Sequence, residues 1–221
     1  MRVLAIDTSS AAVTAAVHDG VSVLVEVTET GAQAHGELLA PVIDRVLRES
    51  GVGVRELTCV VVGVGPGPFT GLRVGLVTAR VMAEALGIPA YGVGSLDAVA
   101  AEALGTGAVD GQFAVATDAR RKEVYLASYD ADGVRRTGPD VVRPADVEAG
   151  LAAGPVVGEG AWIYPATFTD PREPRLVSGG WLATCAVARL RAGEPLLGTA
   201  PLYLRRPDAV ESAGRKRVTQ P

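Results

Sequence analysis

The sequence predicts an α/β protein built from two related halves. Each half opens with a short apolar strand that ends at an aspartate, Asp7 in the first half and Asp118 in the second. In each half a later Asp-Gly pair, a combination favoured in tight hairpin turns, separates two further strand-like runs. This repeated order of strand, carboxylate and hairpin indicates a duplicated unit with a mixed sheet in each copy.

The first half is predicted to contain three strands, a helix, a strand, a helix and a strand. Gly87 and Pro89 mark the end of the second helix. Pro41 should bend the first helix unless the first turn ends there. Apolar runs bounded by turn residues predict strands at 3–6, 13–17, 21–27, 59–64 and 90–93, and helices at about 34–49 and 70–86.

The second half repeats this opening and then loses its regularity. Five prolines between residues 143 and 174 leave only short periodic pieces. A Gly-Thr-Gly break predicts a boundary near residue 105, so that residues 1–105 form a subdomain with both long helices and residues 106–221 form a reduced one. Strands are predicted at 113–117, 124–129 and 134–137, a turn at 118–122, and a helix at 181–191.

Composition limits the classes of protein to which the chain could belong. Its apolar fraction of 48% is ample for a packed core, and no apolar run reaches the roughly 20 residues that span a bilayer. We therefore expect a cytoplasmic globular protein, in which Cys59 and Cys185 are small buried side chains. A net charge of −4 argues against a chain that binds nucleic acid without a partner protein.

The C-terminal tail is the basic exception. It is expected to be a solvated terminus, with contact to RNA or to a partner as the alternative. Its basic residues outnumber Asp208 and Glu211; they are Arg205, Arg206, Arg215, Lys216 and Arg217.

A glycine-rich loop links the strand at 59–64 to the second long helix. It reads Gly-Pro-Gly-Pro-Phe-Thr-Gly-Leu-Arg over residues 65–73. Thr70 is placed to cap the helix, with Phe69 and Val74 in the positions of a hydrophobic staple. Such a bend leaves N–H groups unpaired at the positive end of a helix, where a phosphate or carboxylate could bind. A rigid connector is the alternative, and the absence of Gly-Lys-Ser/Thr excludes a Walker A loop.

The candidate nucleotide or phosphate site joins this loop to the turn after the first strand. Its residues are Asp7, Thr8, Ser9, Gly65, Gly67, Thr70 and Gly71.

Four stretches together resemble the bacterial TsaB (YeaZ) family. The family hallmark is a Gly-Pro-Gly-x-Phe-Thr-Gly-x-Arg loop, with Pro68 at the variable position here. The other stretches are Leu-Ala-Ile-Asp-Thr-Ser at 4–9, Asp-Ala-Arg-Arg-Lys-Glu-Val-Tyr at 118–125 and Pro-Leu-Tyr-Leu-Arg at 201–205.

This resemblance implies an actin-like ATPase (ASKHA) fold and a role as a partner subunit in making threonylcarbamoyladenosine beside the tRNA anticodon. It implies a heterodimer with the catalytic relative TsaD, recruitment of the ATPase TsaE, contact with tRNA through the complex, and a homodimer when alone. No cofactor of its own is implied, since ATP or ADP and a metal would belong to the partner subunits. No membrane is implied.

The residues available for catalysis are few. Asp7 and Asp118 stand at strand ends where a phosphotransferase of this fold needs magnesium ligands, but strand-end carboxylates are more often turn formers. TsaD carries a His-x-x-x-His pair on its first helix, whereas here Leu39 stands where a second ligand would follow His35. We therefore expect no catalytic and no metal-binding residues. The alternative is an autonomous enzyme of the actin-like superfamily, either a metallopeptidase or a small-molecule kinase.

The two long helices carry more apolar surface than one sheet can cover. We interpret the surplus as a protein interface with Arg80 and Glu84 as register-setting charges. The alternative is that the second subdomain covers it. The predicted interface residues are Leu38, Val42, Arg73, Leu76, Val77, Arg80, Ala83 and Glu84.

Overall fold

A five-stranded mixed sheet forms the framework of the first half of the chain. The structure is a computed structural model that describes residues 1–30 and 35–205. The strand order is β3-β2-β1-β4-β5, with β1 antiparallel to β2 and parallel to β4. Asp19 shapes the β2–β3 turn, since its Oδ1 accepts hydrogen bonds from the N–H groups of Val21 and Ser22. The strands are β1 (Val3–Asp7), β2 (Ala12–His18), β3 (Val23–Thr30), β4 (Cys59–Gly63) and β5 (Ala90–Val93).

The second sheet repeats the first strand for strand. Its order is β10-β9-β6-β7-β8, in which β6 is antiparallel to β7 and parallel to β9, as β1 is to β2 and β4. This identity of topology confirms the predicted α/β fold of the actin-like type with two related mixed sheets. The strands are β6 (Phe113–Asp118), β7 (Val124–Tyr129), β8 (Arg135–Val142), β9 (Pro155–Val157) and β10 (Asp170–Arg172).

Strands β9 and β10 were not predicted, because each has only three residues and carries a proline. A strand this short shows no measurable alternation of apolar and polar residues. Its place is set by pairing with a distant strand, as Val156 of β9 pairs with Ala114 of β6.

Six helices occur in the described residues and lie in separate layers around the two sheets. Pro41 lies inside α1, which continues to Ser50. Helix α3 was not predicted, and helix α6 confirms the helix predicted at 181–191. The helices are α1 (His35–Ser50), α2 (Phe69–Leu86), α3 (Ser95–Gly105), α4 (Ala149–Ala153), α5 (Glu159–Ile163) and α6 (Gly179–Ala192).

Strand β1 shows how the layers are arranged. Leu4 and Ile6 pack in the core beneath α1 and α2, whereas Val3 and Ala5 face a second core that contains α3 and α6. That second core also contains Phe113 and other residues of the second sheet. The two halves therefore share this second core. The subdomain boundary at residue 105 remains a prediction.

Neither Cys59 nor Cys185 forms a disulfide bond. Cys59 is buried in β4, whereas Cys185 in α6 is only half-buried, and burial raises the pKa of both thiols. None of the described helices has the length and apolar character needed to cross a bilayer.

Glu102 in α3 has an unusual environment. Its Oε2 atom is buried and has no hydrogen-bond partner among the described residues. Burial raises the pKa of Glu102 to about 7, and the nearby carboxylates of Glu26 and Glu173 add to the shift.

The Glu102 carboxyl should make the free energy of unfolding depend on pH. Its folded-state pKa lies above the ordinary value of 4.5, so the folded state holds the extra proton between these two values. Stability from this group is therefore lost as the pH rises from about 4.5 to about 7. Glu102→Gln should be more stable than the parent by about 1–2 kcal/mol at pH 8, a figure discounted for partial solvent exposure.

Urea unfolding at pH 5 and pH 8 measures this effect. Glu148→Gln is a suitable control because Glu148 is exposed and makes no side-chain cap hydrogen bond. An equal loss of stability between the two pH values in parent and Glu102→Gln would contradict the prediction.

Candidate functional site

The carboxylate of Asp7 is the centre of the contact between the first turn and the glycine loop. It is fully buried at the end of β1. Its Oδ1 accepts hydrogen bonds from the backbone N–H of Ser9 at 2.7 Å and from the Ser9 hydroxyl at 2.8 Å. Its Oδ2 accepts from the hydroxyl of Ser95 at 2.7 Å, and that hydroxyl in turn accepts from the N–H of Gly65 at 3.1 Å. Asp7 therefore joins β1, the glycine loop and α3.

Thr8 makes a second connection to the same loop. Its hydroxyl donates to the carbonyl oxygen of Gly71 at 2.7 Å and accepts from the N–H of Gly75 at 3.0 Å. Helix α2 and the first turn approach so closely that a Cβ atom on Gly75 would lie 2.6 Å from the Thr8 hydroxyl. A Cβ atom on Gly67 would lie 2.8 Å from the Cα of Ser9. Gly75 is required by the close approach of the Thr8 side chain, and Gly67 by the close approach of the Ser9 backbone.

The structure thus brings Asp7, Thr8 and Ser9 against the glycine loop, but the polar groups of these three residues bond within the chain. Asp7, Thr8 and Ser9 are all buried. Burial raises the pKa of Asp7, although the hydrogen bonds from Ser95 and Ser9 oppose that shift. This arrangement favours the rigid-connector alternative, and nucleotide binding by these residues remains a prediction.

The predicted cap and staple of α2 are wrong. The helix begins at Phe69 after Pro68, so Thr70 is an exposed residue of the first turn. The ring of Phe69 lies 5.0 Å from that of Tyr203, and the guanidinium of Arg73 lies over it at 4.0 Å. Tyr203, from a distant part of the chain, thus packs against Phe69, as Val74 was expected to do in the hydrophobic staple.

Ser95 provides a direct test of the Asp7 cluster. Ser95→Ala would leave a buried carboxylate oxygen and the Gly65 N–H without their shared partner, which should cost about 3 kcal/mol of stability. Thermal and urea unfolding of the purified variant measure this loss. Ser50→Ala serves as the control, because the Ser50 hydroxyl bonds only local backbone at the half-buried end of α1. A change below about 0.5 kcal/mol in Ser95→Ala would contradict the assigned role.

The two histidines have structural partners. His35 begins α1, and its Nε2 lies 2.8 Å from the carbonyl oxygen of Ser10, while Leu39 is buried in the core. His18 accepts a hydrogen bond from the N–H of Gly20, and burial lowers the pKa of the His18 ring. In residues 1–30 and 35–205, no three His, Cys, Asp or Glu side chains converge as a metal site would require. The expected lack of metal and catalytic residues remains a prediction.

Asp118 at the end of β6 has a different environment from Asp7. Its Oδ1 accepts from the N–H of Arg120, and its carboxylate pairs with the Arg120 guanidinium at 3.2 Å. This geometry agrees with the expectation of a turn-forming residue.

The outer face of α2 differs from the predicted one. Leu76 is only 2% exposed, and Ala83 and Val42 are also buried in the core against the first sheet. Their expected exposure is therefore wrong. Val77 and Val81 are the large apolar residues of the helix that are exposed, at 55% and 59%. Because α2 is apolar on nearly all sides, its sequence does not show which side faces the first sheet. In the structure, the side that carries Gly71 and Gly75 lies against Thr8 at the end of β1.

The remaining predicted interface residues have mixed surroundings. Leu38 is half-buried beside the same core, whereas Arg73, Arg80 and Glu84 are exposed. The two arginines bond to the segment 197–205, which we call the C-terminal strap.

The C-terminal strap crosses the first half after α6. Leu197 forms a two-hydrogen-bond bridge with Gly92 of β5. Arg80 donates to the hydroxyl and the carbonyl oxygen of Thr199, and Arg73 donates to the Tyr203 hydroxyl at 2.9 Å. The outer surface of α2 is thus a composite of the helix and the strap, which the sequence did not predict. Of the basic residues predicted for the tail, Arg205 belongs to the strap, and the others lie outside the described residues.

Comparison with known proteins gives consistent matches. Residues 22–185 match the family model described as TsaD: tRNA N6-adenosine threonylcarbamoyltransferase. An uncharacterised protein of Mycobacterium tuberculosis is 44% identical over 211 residues, covering 94% of this chain and 93% of the relative. The Escherichia coli tRNA threonylcarbamoyladenosine biosynthesis protein TsaB is 33% identical over 132 residues, which cover 60% of this chain and 56% of that protein. The solved structure of YeaZ from Pseudomonas aeruginosa superposes with a TM-score of 0.78 at 28% identity, covering 92% of this chain and 99% of that one.

Proposed function

The chain belongs to the TsaB (YeaZ) family, and from this premise we propose that it acts in the synthesis of threonylcarbamoyladenosine in tRNA as a non-catalytic subunit. The partner that it supports is TsaD, the threonylcarbamoyltransferase. The ATPase TsaE and the tRNA belong to the same assembly, and the site of action is the cytoplasm. The observation that carries the accessory role is the exposed apolar face of α2.

The exposed pair Val77 and Val81 supports a docking role for this face. The two residues are one helical turn apart and therefore adjoin on one side of α2. They are flanked by Arg73 and Arg80, which the C-terminal strap holds in fixed positions. Orienting these side chains before binding lowers the entropy cost of association. A fixed apolar centre with a charged rim is the usual anatomy of a protein interface.

The surroundings of the polar residues support the non-catalytic part of the proposal. The carboxylate of Asp7 and the hydroxyls of Thr8 and Ser9 bond to the chain itself. His35 likewise bonds to the backbone of Ser10. A catalytic base or ligand needs a free lone pair directed at the substrate.

Reconstitution tests the proposed function. Purified chain, TsaD, TsaE and tRNA should together form threonylcarbamoyladenosine when supplied with the threonylcarbamoyl donor, and omission of this chain should abolish product formation. The chain alone should give no product. Full modification without this chain, or product from this chain without TsaD, would overturn the proposal.

A further inference from the structure

The outer face of α2 carries two arginines two helical turns apart. Arg73 and Arg80 are exposed and lie on the same side of the helix as the exposed Val77 and Val81. A spacing of seven positions places the two arginines about 10 Å apart along the helix axis. This face therefore combines apolar side chains with two regularly spaced positive charges.

Both guanidinium groups bond to neutral groups of the C-terminal strap. Arg73 donates from Nε to the Tyr203 hydroxyl at 2.9 Å, and its guanidinium lies 4.0 Å from the centroid of the Phe69 ring. Arg80 donates from Nε to the Thr199 hydroxyl at 2.8 Å and from Nη2 to the Thr199 carbonyl oxygen. Within residues 1–30 and 35–205 neither arginine forms an ion pair, so no carboxylate there takes up either charge directly.

The strap has its own anchors, so it can hold the arginines in place. Leu197 exchanges two backbone hydrogen bonds with Gly92 of β5, and the N–H of Leu202 donates to the carbonyl oxygen of Val64 at 2.8 Å. A Cβ atom on Gly92 would overlap the carbonyl oxygen of Gly198, so the strap lies directly against β5. Fixing a long side chain before association lowers the entropy cost of binding.

Each arginine keeps hydrogen-bond donors for a partner. A guanidinium has five N–H groups, of which Arg73 uses only the one on Nε, so both terminal nitrogens keep all their donors. Arg80 likewise keeps the two donors of Nη1. Paired N–H groups of a guanidinium match the two oxygens of a carboxylate. Glu84, one turn beyond Arg80, is the only carboxylate of α2, so two positive charges face one negative charge.

We propose that this face docks an acidic helix of TsaD, which presents an apolar stripe and two carboxylates about 10 Å apart to Arg73 and Arg80. Thr199 and Tyr203 are the positioning residues for that contact. A helix fits because Val77 and Val81, at i and i+4, form a ridge of the kind that packs into the groove of another helix. The inference rests on the proposed function, and it adds the charge of the partner surface and a role for the strap.

Two other occupants fit the face less well. A second copy of this chain offers Glu84 as the only carboxylate of its α2, so in a symmetric dimer one arginine of each copy stays without a carboxylate. RNA offers phosphates to the arginines, but its charged backbone gives the exposed Val77 and Val81 no apolar surface. A partner helix with two carboxylates satisfies both the charges and the apolar pair.

Calorimetric titration of the full chain with purified TsaD, at low and at high KCl concentration, tests the charge of the partner surface. Arg73→Ala and Arg80→Ala should each weaken binding roughly tenfold at low salt, and the double variant should lose most of the salt dependence of the parent. Arg191→Ala removes the same charge from the exposed end of α6, on the other side of the first sheet. It should change the affinity by less than about twofold.

Thr199→Val and Tyr203→Phe test the strap. Each removes one hydroxyl and keeps the size of the side chain, so each should weaken binding roughly threefold or more while leaving Tm unchanged. In an Arg73→Ala background, Tyr203→Phe should weaken binding no further, because its hydroxyl acts through Arg73. Additive losses in this cycle would overturn the positioning role.

The remaining outcomes separate this inference from the proposed function. No binding between the parent and TsaD would overturn both. Parent binding that is unchanged in Arg73→Ala and Arg80→Ala, with circular dichroism showing both variants folded, would overturn this inference alone. A homodimer tighter than the TsaD complex in the same buffer would assign the face to a second copy. Binding of a short single-stranded RNA that is lost in the double variant would assign it to nucleic acid, and either result would overturn the acidic helix.

Discussion

Replacing Gly63 by alanine is expected to remove about 4 kcal/mol of stability, or to prevent folding altogether. Gly63 ends β4 beside the buried Asp7 carboxylate, and a Cβ atom at this position would overlap Asp7 Oδ2 and lie 2.7 Å from the Ser95 hydroxyl. The carboxylate has no room to move without losing its hydrogen bonds to Ser9 or Ser95. Breaking a buried, hydrogen-bonded charge site is among the most costly of single substitutions.

Urea unfolding followed by circular dichroism measures the effect of Gly63→Ala, with soluble yield as the readout if the variant does not fold. Gly36→Ala is the matched control, because Gly36 is exposed in the first turn of α1 and no atom of the described residues lies within 4 Å of an added Cβ atom. It should gain about 0.5 kcal/mol from higher helix propensity. A Gly63→Ala variant as stable as the parent would show that the Asp7 cluster is not closely packed.

Introducing a carboxylate on the outer face of α2 is expected to separate the chain from its partners. Val77→Glu should leave the monomer folded, because Val77 is 55% exposed. The new charge stays hydrated in the monomer but would be buried without a partner in the complex, which costs several kcal/mol. We expect the proposed pairing with TsaD and the homodimer predicted for the chain alone to weaken at least a hundredfold, or about 2.7 kcal/mol, and tRNA modification to be lost with them.

Light scattering and a pull-down on TsaD measure this separation. Val134→Glu is the control, since Val134 is 54% exposed and lies at the β7–β8 hairpin of the second half. It should leave both assemblies intact. Leu76→Glu is a second comparison: because Leu76 is buried, this variant should unfold the monomer itself. An intact dimer and TsaD complex in Val77→Glu would show that the outer face of α2 is not the interface.

Local sequence was sufficient for most of the long elements. Strand β1 and the hairpin at Asp19 could be predicted because a short apolar run and turn chemistry involve only neighbouring residues. The repeat of that order around Asp118 was sufficient to predict a second, related sheet. Helix α3 was not predicted because its apolar and small residues are buried on most sides of the helix. A segment of this kind shows little hydrophobic periodicity.

What the sequence by itself determined was the order of the main elements, the duplicated fold and the position of the glycine loop between β4 and α2. Only the tertiary structure decided which face of α2 is covered and whether the polar residues of the loop are free. The physical reason is that local periodicity specifies an element but not its partners. Asp7 is held by Ser95, 88 positions away, and Phe69 by Tyr203, so their roles depend on contacts between segments that only folding brings together.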